Sequence, residues 1–178
     1  MRIVSGKYKR RIISPPKNLP VRPTTDMAKE SLFNILSNYI DFSNLNVLDL
    51  FAGTGNISYE FVSRGCASVT AVDTDFGCVR FMKQTADNLE MDALTVVKQD
   101  VFRFLKMTKR KYDIIFADPP YKLDRIPEIY DTIFNNEILV EGGWIIIEHP
   151  REIDFSSHNY FVEHRKYGSV NFSLFKNS

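Results

Sequence analysis

The sequence lacks the cysteine pattern of a disulfide or metal scaffold. Its two cysteines, Cys66 and Cys78, have no CxxC spacing, and none of its three histidines clusters with them. That excludes a small stapled secreted domain and fits a reducing, cytoplasmic setting with no metal. No apolar run approaches the roughly 18 residues a membrane-spanning helix needs. The opening Met1-Arg2-Ile3-Val4-Ser5-Gly6 has no apolar segment of the secretory kind. Internal repeats and low-complexity stretches are missing too.

What is present is an ordinary globular composition: 178 residues, 44% hydrophobic and 25% charged. That length suits one domain with a small appendage and a core of its own. The net charge of +1 is unevenly spread. Residues 1–25 carry Arg2, Lys7, Lys9, Arg10, Arg11, Lys17 and Arg22 without an acid, which is +7; the remaining 16 basic residues and all 22 acids give −6. A basic arm on a mildly acidic body suggests a polyanionic partner, the plain alternative being a solvated tail. Short β-prone runs at 2–4 and 11–13 flank Gly6, which predicts a small basic β-hairpin. Pro15 to Pro23 is too proline-rich for helix or central strand and reads as an extended connector. The division expected is 1–22, hairpin and connector, then 23–178, the main domain.

From Thr24-Thr25-Asp26, each a possible N-cap, a helix runs with Ala28, Leu32, Ile35, Leu36 and Tyr39 on one face. Strands and helices then alternate. Val47–Phe51 is a strand, followed by a helix to about Arg64 with Gly65 behind it. Ala67–Val72 is the next strand and ends at Asp73; a helix follows over about Gly77–Leu89. Then come strand Leu94–Val97, helix Val101–Thr108, strand Tyr112–Ala117, helix Pro127–Phe134 and strand Trp144–Ile147 after a Gly142-Gly143 turn. Tyr160–Arg165 and Ser169–Phe175 read as a terminal hairpin. Such alternation predicts a doubly wound α/β sheet.

In that fold, ligands bind beyond the carboxyl ends of the strands. Ile114 to Ala117 runs directly into Asp118-Pro119-Pro120-Tyr121. The prolines stop the strand, having no N–H for the ladder. A carboxylate, a rigid carbonyl and an aromatic ring are thereby placed at the functional edge. Asp49-Leu50-Phe51-Ala52-Gly53-Thr54-Gly55 is a glycine-rich strand-to-helix turn, and Asp73 ends the next strand where a carboxylate can accept ribose hydroxyls. The third glycine of a dinucleotide turn is replaced by Ser58. Asp49 would repel a pyrophosphate yet suits an ammonium. A ligand with a ribose and an amino acid but no phosphate is S-adenosylmethionine. Asp100 and Val101 after the third strand suit its adenine.

A nucleobase amine is a poor nucleophile because its lone pair is delocalised. Asp118 and the Pro119 carbonyl can both accept from that NH₂ and aim the lone pair at a methyl group. Tyr121 can stack on a flipped or single-stranded base.

With these motifs the chain resembles the class I S-adenosylmethionine-dependent methyltransferases, and more closely the RsmD family, which methylates guanine N2 in small-subunit (16S) ribosomal RNA. The carriers of the likeness are Arg2-Ile3-Val4-Ser5-Gly6, Arg22-Pro23-Thr24-Thr25-Asp26, the glycine turn, Ser63-Arg64-Gly65, Asp73, Asp100-Val101-Phe102, Asp118-Pro119-Pro120-Tyr121, Glu148-His149 and Tyr167-Gly168. The resemblance implies a Rossmann-like, mostly parallel, seven-stranded sheet of order 3-2-1-4-5-7-6 with strand 7 antiparallel. It implies a cofactor site of Asp49, Phe51, Ala52, Gly53, Thr54, Gly55, Asn56, Asp73, Thr74, Asp100 and Val101. Catalysis would fall to Asp118, Pro119, Pro120 and Tyr121. RNA contacts would fall to Arg2, Lys7, Lys9, Arg10, Arg11, Arg22, Thr24 and Thr25. If the family's position 29 touches RNA, Lys29 must serve there without a guanidinium fork. The implied partner is ribosomal RNA or a small-subunit assembly intermediate, met by a cytoplasmic monomer.

Three rivals remain. A DNA adenine-N6 methyltransferase shares the DPPY motif but usually carries a target-recognition region, for which the 20 residues between Tyr121 and Gly142 leave no room. A protein-glutamine methyltransferase would have Asn in place of Asp118. An inactive RNA-binding module would have no use for Asp49, Asp73, Asp118 and Tyr121 together. His149 and His158 read as structural. Lys106, Lys109, Arg110 and Lys111 are a solvated helix end or a second basic contact.

Overall fold

The computed structural model describes residues 1–21 and 25–178. Among these, the strands are β1 (Asn46–Leu50), β2 (Ser68–Asp73), β3 (Leu94–Lys98), β4 (Tyr112–Ala117), β5 (Leu139–His149), β6 (Phe161–Tyr167) and β7 (Val170–Lys176). The helices are α1 (Asp26–Tyr39), α2 (Asn56–Ser63), α3 (Phe76–Asn88), α4 (Val101–Met107) and α5 (Ile126–Asn135). One sheet carries all seven strands in the order β3-β2-β1-β4-β5-β7-β6. Pairing is parallel from β3 to β5, and β7 lies antiparallel between β5 and β6. The order and the antiparallel strand are those the resemblance implied.

Helices cover both faces, so the central strands are apolar on both sides. On one face α1, α2 and α3 pack Leu32, Phe33, Phe61 and Met82 against Val47, Ile114 and Ile146. On the other, α4 and α5 pack Leu105, Ile129 and Ile133 against Leu48, Ile115 and Ile145. The direction of strand succession reverses between β1 and β4, and the crevice of such a sheet opens there.

β5 is longer than the sequence pattern suggests. Gly142-Gly143 lies inside it, not before it. Pairing steps from Tyr112–Leu139 to Ile114–Trp144, so a bulge absorbs the extra residues. Gly142, at φ 73°, supplies the left-handed backbone of the bulge, and Asn177 pins it by donating its N–H to the Gly143 carbonyl at 2.9 Å.

The face of α1 also differs. Its buried residues are Ala28, Lys29, Leu32, Phe33 and Leu36, while Tyr39 is half exposed. Lys29 is fully buried. Its Nζ donates to the Arg2 carbonyl at 2.5 Å and to Asn56 Oδ1 at 2.8 Å, and lies 3.7 Å from the Glu60 carboxylate. Burial pulls the Lys29 pKa down, against the upward pull of Glu60. Lys29 is thus an internal strut with no ammonium to offer RNA.

That strut holds the amino-terminal arm. Arm residues pair at one antiparallel bridge, Arg2 with Ile12, in place of a full ladder. Ile3 and Ile13 are buried in the same core as α1 and α2. Glu60, also fully buried, accepts from Val4 N at 2.8 Å, Ser5 N at 3.0 Å and Arg64 Nε at 3.0 Å. Lys7 N donates to the Ser63 carbonyl at 2.7 Å. Gly6 sits at φ 81°, and a Cβ there would lie 1.7 Å from that same carbonyl oxygen, so only glycine fits.

Candidate active site

The site is built on the carboxyl ends of β3, β2, β1 and β4, which stand side by side. Backbone bonds zip their loops together. Ala52 N donates to the Val72 carbonyl at 3.0 Å, Gln99 N to the Asp73 carbonyl at 3.0 Å, and Asp118 N to the Leu50 carbonyl at 3.3 Å. The glycine turn and the DPPY segment are therefore direct neighbours.

Within the turn, β1 ends at Leu50, and Phe51 takes φ 59°, an uncommon left-handed conformation for an aromatic residue. Such strain gathers at functional sites. Gly53 N donates to Asp73 Oδ2 at 2.8 Å, and Asp73 Oδ1 accepts from Asp75 N at 2.8 Å. Each carboxylate oxygen retains a second lone pair, so a half-buried acceptor with a fixed orientation faces the edge. Gly55, the N-cap of α2, sits at φ 86°, and a Cβ there would meet Tyr59 Cζ at 2.7 Å. The chain can turn there only without a side chain.

The expected cofactor residues fall into two groups. Phe51, Ala52, Gly53, Asp73, Thr74 and Asp100 are half-buried or exposed along the edge. Asp100 also caps α4, accepting from Arg103 N at 2.9 Å. The others lie deeper. Asp49 is inside β1, 1% exposed, and accepts from Ser58 Oγ at 2.5 Å. Burial, with help from the nearby Asp73 charge, pushes its pKa up to about 7 against the pull of the Ser58 hydroxyl. Thr54 and Asn56 are buried; Thr54 Oγ1 is 3.8 Å from Met1 Sδ, and Asn56 receives the Lys29 ammonium. Val101 is 2% exposed and packs in the core with Phe102 and Leu105. Its side chain has almost no surface to offer an adenine.

The DPPY segment stands at the end of β4. Asp118 is half-buried, Pro119 buried and Pro120 exposed. Tyr121 is 39% exposed, and its hydroxyl donates to Glu148 Oε1 at 2.8 Å. Glu148, on β5, is 6% exposed. It holds the ring from the end of the neighbouring strand. Motif reading does not assign Glu148 a role, nor does it single out Phe76, whose ring is 65% exposed on the first residue of α3, with Lys98 Nζ 5.5 Å from its centroid.

Of the expected RNA residues, Arg2, Lys7, Lys9, Arg10 and Arg11 are exposed. Arg22 and Thr24 lie outside the described residues. Thr25 is the N-cap of α1, its Oγ1 accepting from Ala28 N at 3.2 Å. The tip of the arm lies against Ser63, at the far end of α2 from the glycine turn. Eight residues of helix put about 12 Å between them. Arg110 is committed to the amino edge of the sheet, where it donates to Asn46 Oδ1 at 2.8 Å and also to Ser68 Oγ. His149 is internal: its ring nitrogens bridge the Pro150 carbonyl and Ser173 Oγ at 2.9 and 2.8 Å.

A family model described as conserved hypothetical protein 95 matches residues 1–176. The chain belongs to the RsmD methyltransferase family. The YlbH protein of Bacillus subtilis is 35% identical over 158 residues, covering 86% of this chain and 85% of that one. Ribosomal RNA small subunit methyltransferase D of Escherichia coli K12 is 29% identical over 148 residues, covering 83% of this chain and 74% of that one. Among solved structures, yhhF from Escherichia coli superposes with a TM-score of 0.88 at 25% identity, covering 100% of this chain and 98% of that one. S-adenosylmethionine is the cofactor of the RsmD family, and the Asp73 carboxylate beside a glycine turn fits its ribose. No described helix is long and apolar enough to cross a membrane.

Proposed function

We propose that this chain transfers the methyl group of S-adenosylmethionine to the exocyclic N2 of a guanine in small-subunit (16S) ribosomal RNA. The observation that carries the reading is the contact of DPPY with the glycine turn, Asp118 N to the Leu50 carbonyl. It puts Asp118 to Tyr121 beside the glycine turn, which supports reading the one as a nucleobase-amine clamp and the other as the cofactor edge. The names of the Escherichia coli relative and its counterparts support ribosomal RNA as the substrate class.

The cofactor supplies an electrophilic methyl on a sulfonium. Asp73 holds the ribose hydroxyls, and Phe51 and Phe76 offer ring surface beside it. Asp118 and the Pro119 carbonyl accept the two amine hydrogens, which turns the nitrogen lone pair towards the methyl. As the N–C bond forms and the S–C bond breaks, positive charge grows on nitrogen, and the Asp118 carboxylate stabilises it. The surplus proton leaves through Asp118 to water. Tyr121 stacks on the base. The exposed arm cations contact phosphates and position the RNA without reading it.

The test separates binding from chemistry. Asp118→Ala should bind S-adenosylmethionine like the parent protein and transfer no methyl to ribosomal RNA. If Asp118→Ala transfers at the parent rate, the clamp is elsewhere.

A further inference from the structure

Past Tyr121 the carboxyl edge continues into an open groove of about 280 Å³, lined by Tyr121, Pro150, Arg151, Glu152, Lys166 and Asn171 among others. The topology creates it. β7 pairs antiparallel with β5, with Asn171 opposite His149 and Lys166 opposite Asn171. The β6–β7 turn therefore stands beside the chain leaving β5 at Pro150, and the DPPY loop closes the third side.

Several features define an occupant. Most of the lining surface is apolar, and Pro150 and Tyr121 contribute to it. Lys166 is exposed at the rim. Arg151 is exposed as well, and its pair with Glu152 at 3.0 Å joins side chains that are 82% and 67% exposed. An exposed pair of this kind contributes little and exchanges readily for a phosphate. Small-ligand clefts start at about 300 Å³, so the groove suits one nucleoside and not a double helix. Flat apolar surfaces beside cations are the means by which proteins hold single-stranded nucleic acid. The arm tip is at the far end of α2, so the strand needs a grip nearer the reacting amine.

We propose that this groove holds the nucleotide adjoining the target guanine, with its base against Pro150, next to the guanine on Tyr121, and its phosphate on Lys166 and Arg151. The proposal rests on the RNA-methyltransferase reading above.

The experiment is methyl transfer to ribosomal RNA isolated from a strain lacking the protein, with parent, Lys166→Ala/Arg151→Ala and Lys166→Arg/Arg151→Lys proteins compared. The alanine pair should raise the RNA KM by about tenfold or more. It should also make the log–log salt dependence shallower by roughly 0.7, the value for one phosphate of a single strand. Cofactor affinity without RNA and the melting temperature should match the parent. The charge-keeping pair should restore most of the KM. If the parent methylates the RNA and the alanine pair does so with the same KM and salt slope, the groove proposal falls and the transfer reading stands. If the parent binds cofactor and methylates no RNA, both fall.

Discussion

The Tyr121 hydroxyl donates to Glu148 Oε1 at 2.8 Å, which ties the last residue of DPPY to the middle of the sheet. The ring is 39% exposed, so one part of it faces solvent while its hydroxyl is fixed. On the proposed reading, a base arriving at the edge would meet a stacking surface already set at one angle. From the motif alone the hydroxyl is dispensable. With its tether visible, the proposed reading makes it a positioning group.

Tyr121→Ala should therefore cost about 1–3 kcal/mol in kcat/KM, the scale of one base–aromatic stack. Tyr121→Phe should cost about 1 kcal/mol, the scale of one hydrogen bond. Glu148→Gln keeps an acceptor and should stay near the parent, while Glu148→Ala should match Tyr121→Phe. The double variant Tyr121→Phe/Glu148→Ala should be no worse than either single one, since both remove one interaction. Fully additive losses in that cycle would mean that the two residues act separately.

Asp73 should decide cofactor binding. Asp73→Ala removes the acceptor and releases the Gly53 and Asp75 amides. Affinity for S-adenosylmethionine, measured by calorimetry, should fall by about 1–3 kcal/mol. Normal binding by this variant would show that the ribose lies elsewhere.

Much of this site is legible in the sequence, and for identifiable reasons. An apolar run stopped by two prolines needs no partner to declare a strand end, so Asp118 to Tyr121 could be placed at once. The tether could not: Glu148 is 27 residues from Tyr121 and meets it only through β4–β5 pairing. The Lys29 strut left a local trace. Lys29, Leu32, Phe33 and Leu36 share helical spacing, so the lysine falls within the apolar stripe. A charge in that stripe signals a buried partner, here Glu60, which no local pattern names. The bulge in β5 was hidden because Gly142-Gly143 resembles a turn until Asn177 is seen to bridge it.

Asp49 should leave a signature in stability against pH. Its folded pKa of about 7 lies above the ordinary carboxylate value of 3.8. Between those values the unfolded chain has released this proton and the folded chain retains it. Asp49 therefore lowers stability progressively as pH rises from about 4 to 7, by a few kcal/mol in all, and the loss levels off above that. Asp49→Asn keeps an acceptor for Ser58 and removes the titration. Urea unfolding at pH 5 and pH 7.5 should show the variant gaining on the parent at the higher pH. A parent–variant difference that is the same at both pH values would place the Asp49 pKa outside this window.

The arm should depend on Glu60. Glu60→Ala strips acceptors from Val4 and Ser5 and leaves the buried Lys29 ammonium without its carboxylate. Breaking a buried pair from one side costs about 3–5 kcal/mol. The loss should appear in denaturant unfolding, and trypsin should cut faster at Lys7, Lys9, Arg10 and Arg11. Replacing those four exposed cations by alanine should leave stability almost unchanged and flatten the salt dependence of RNA binding. An unchanged salt slope would remove the arm from the RNA contact.

The central claim is the identity of the methylated atom. Ribosomal RNA from a strain lacking this protein should be incubated with the protein and S-adenosylmethionine labelled in the methyl group, then digested to nucleosides. The account predicts the label in N2-methylguanosine from small-subunit RNA, and none when Asp118 is alanine. Label in methyladenosine, in protein, or in nothing at all would contradict it.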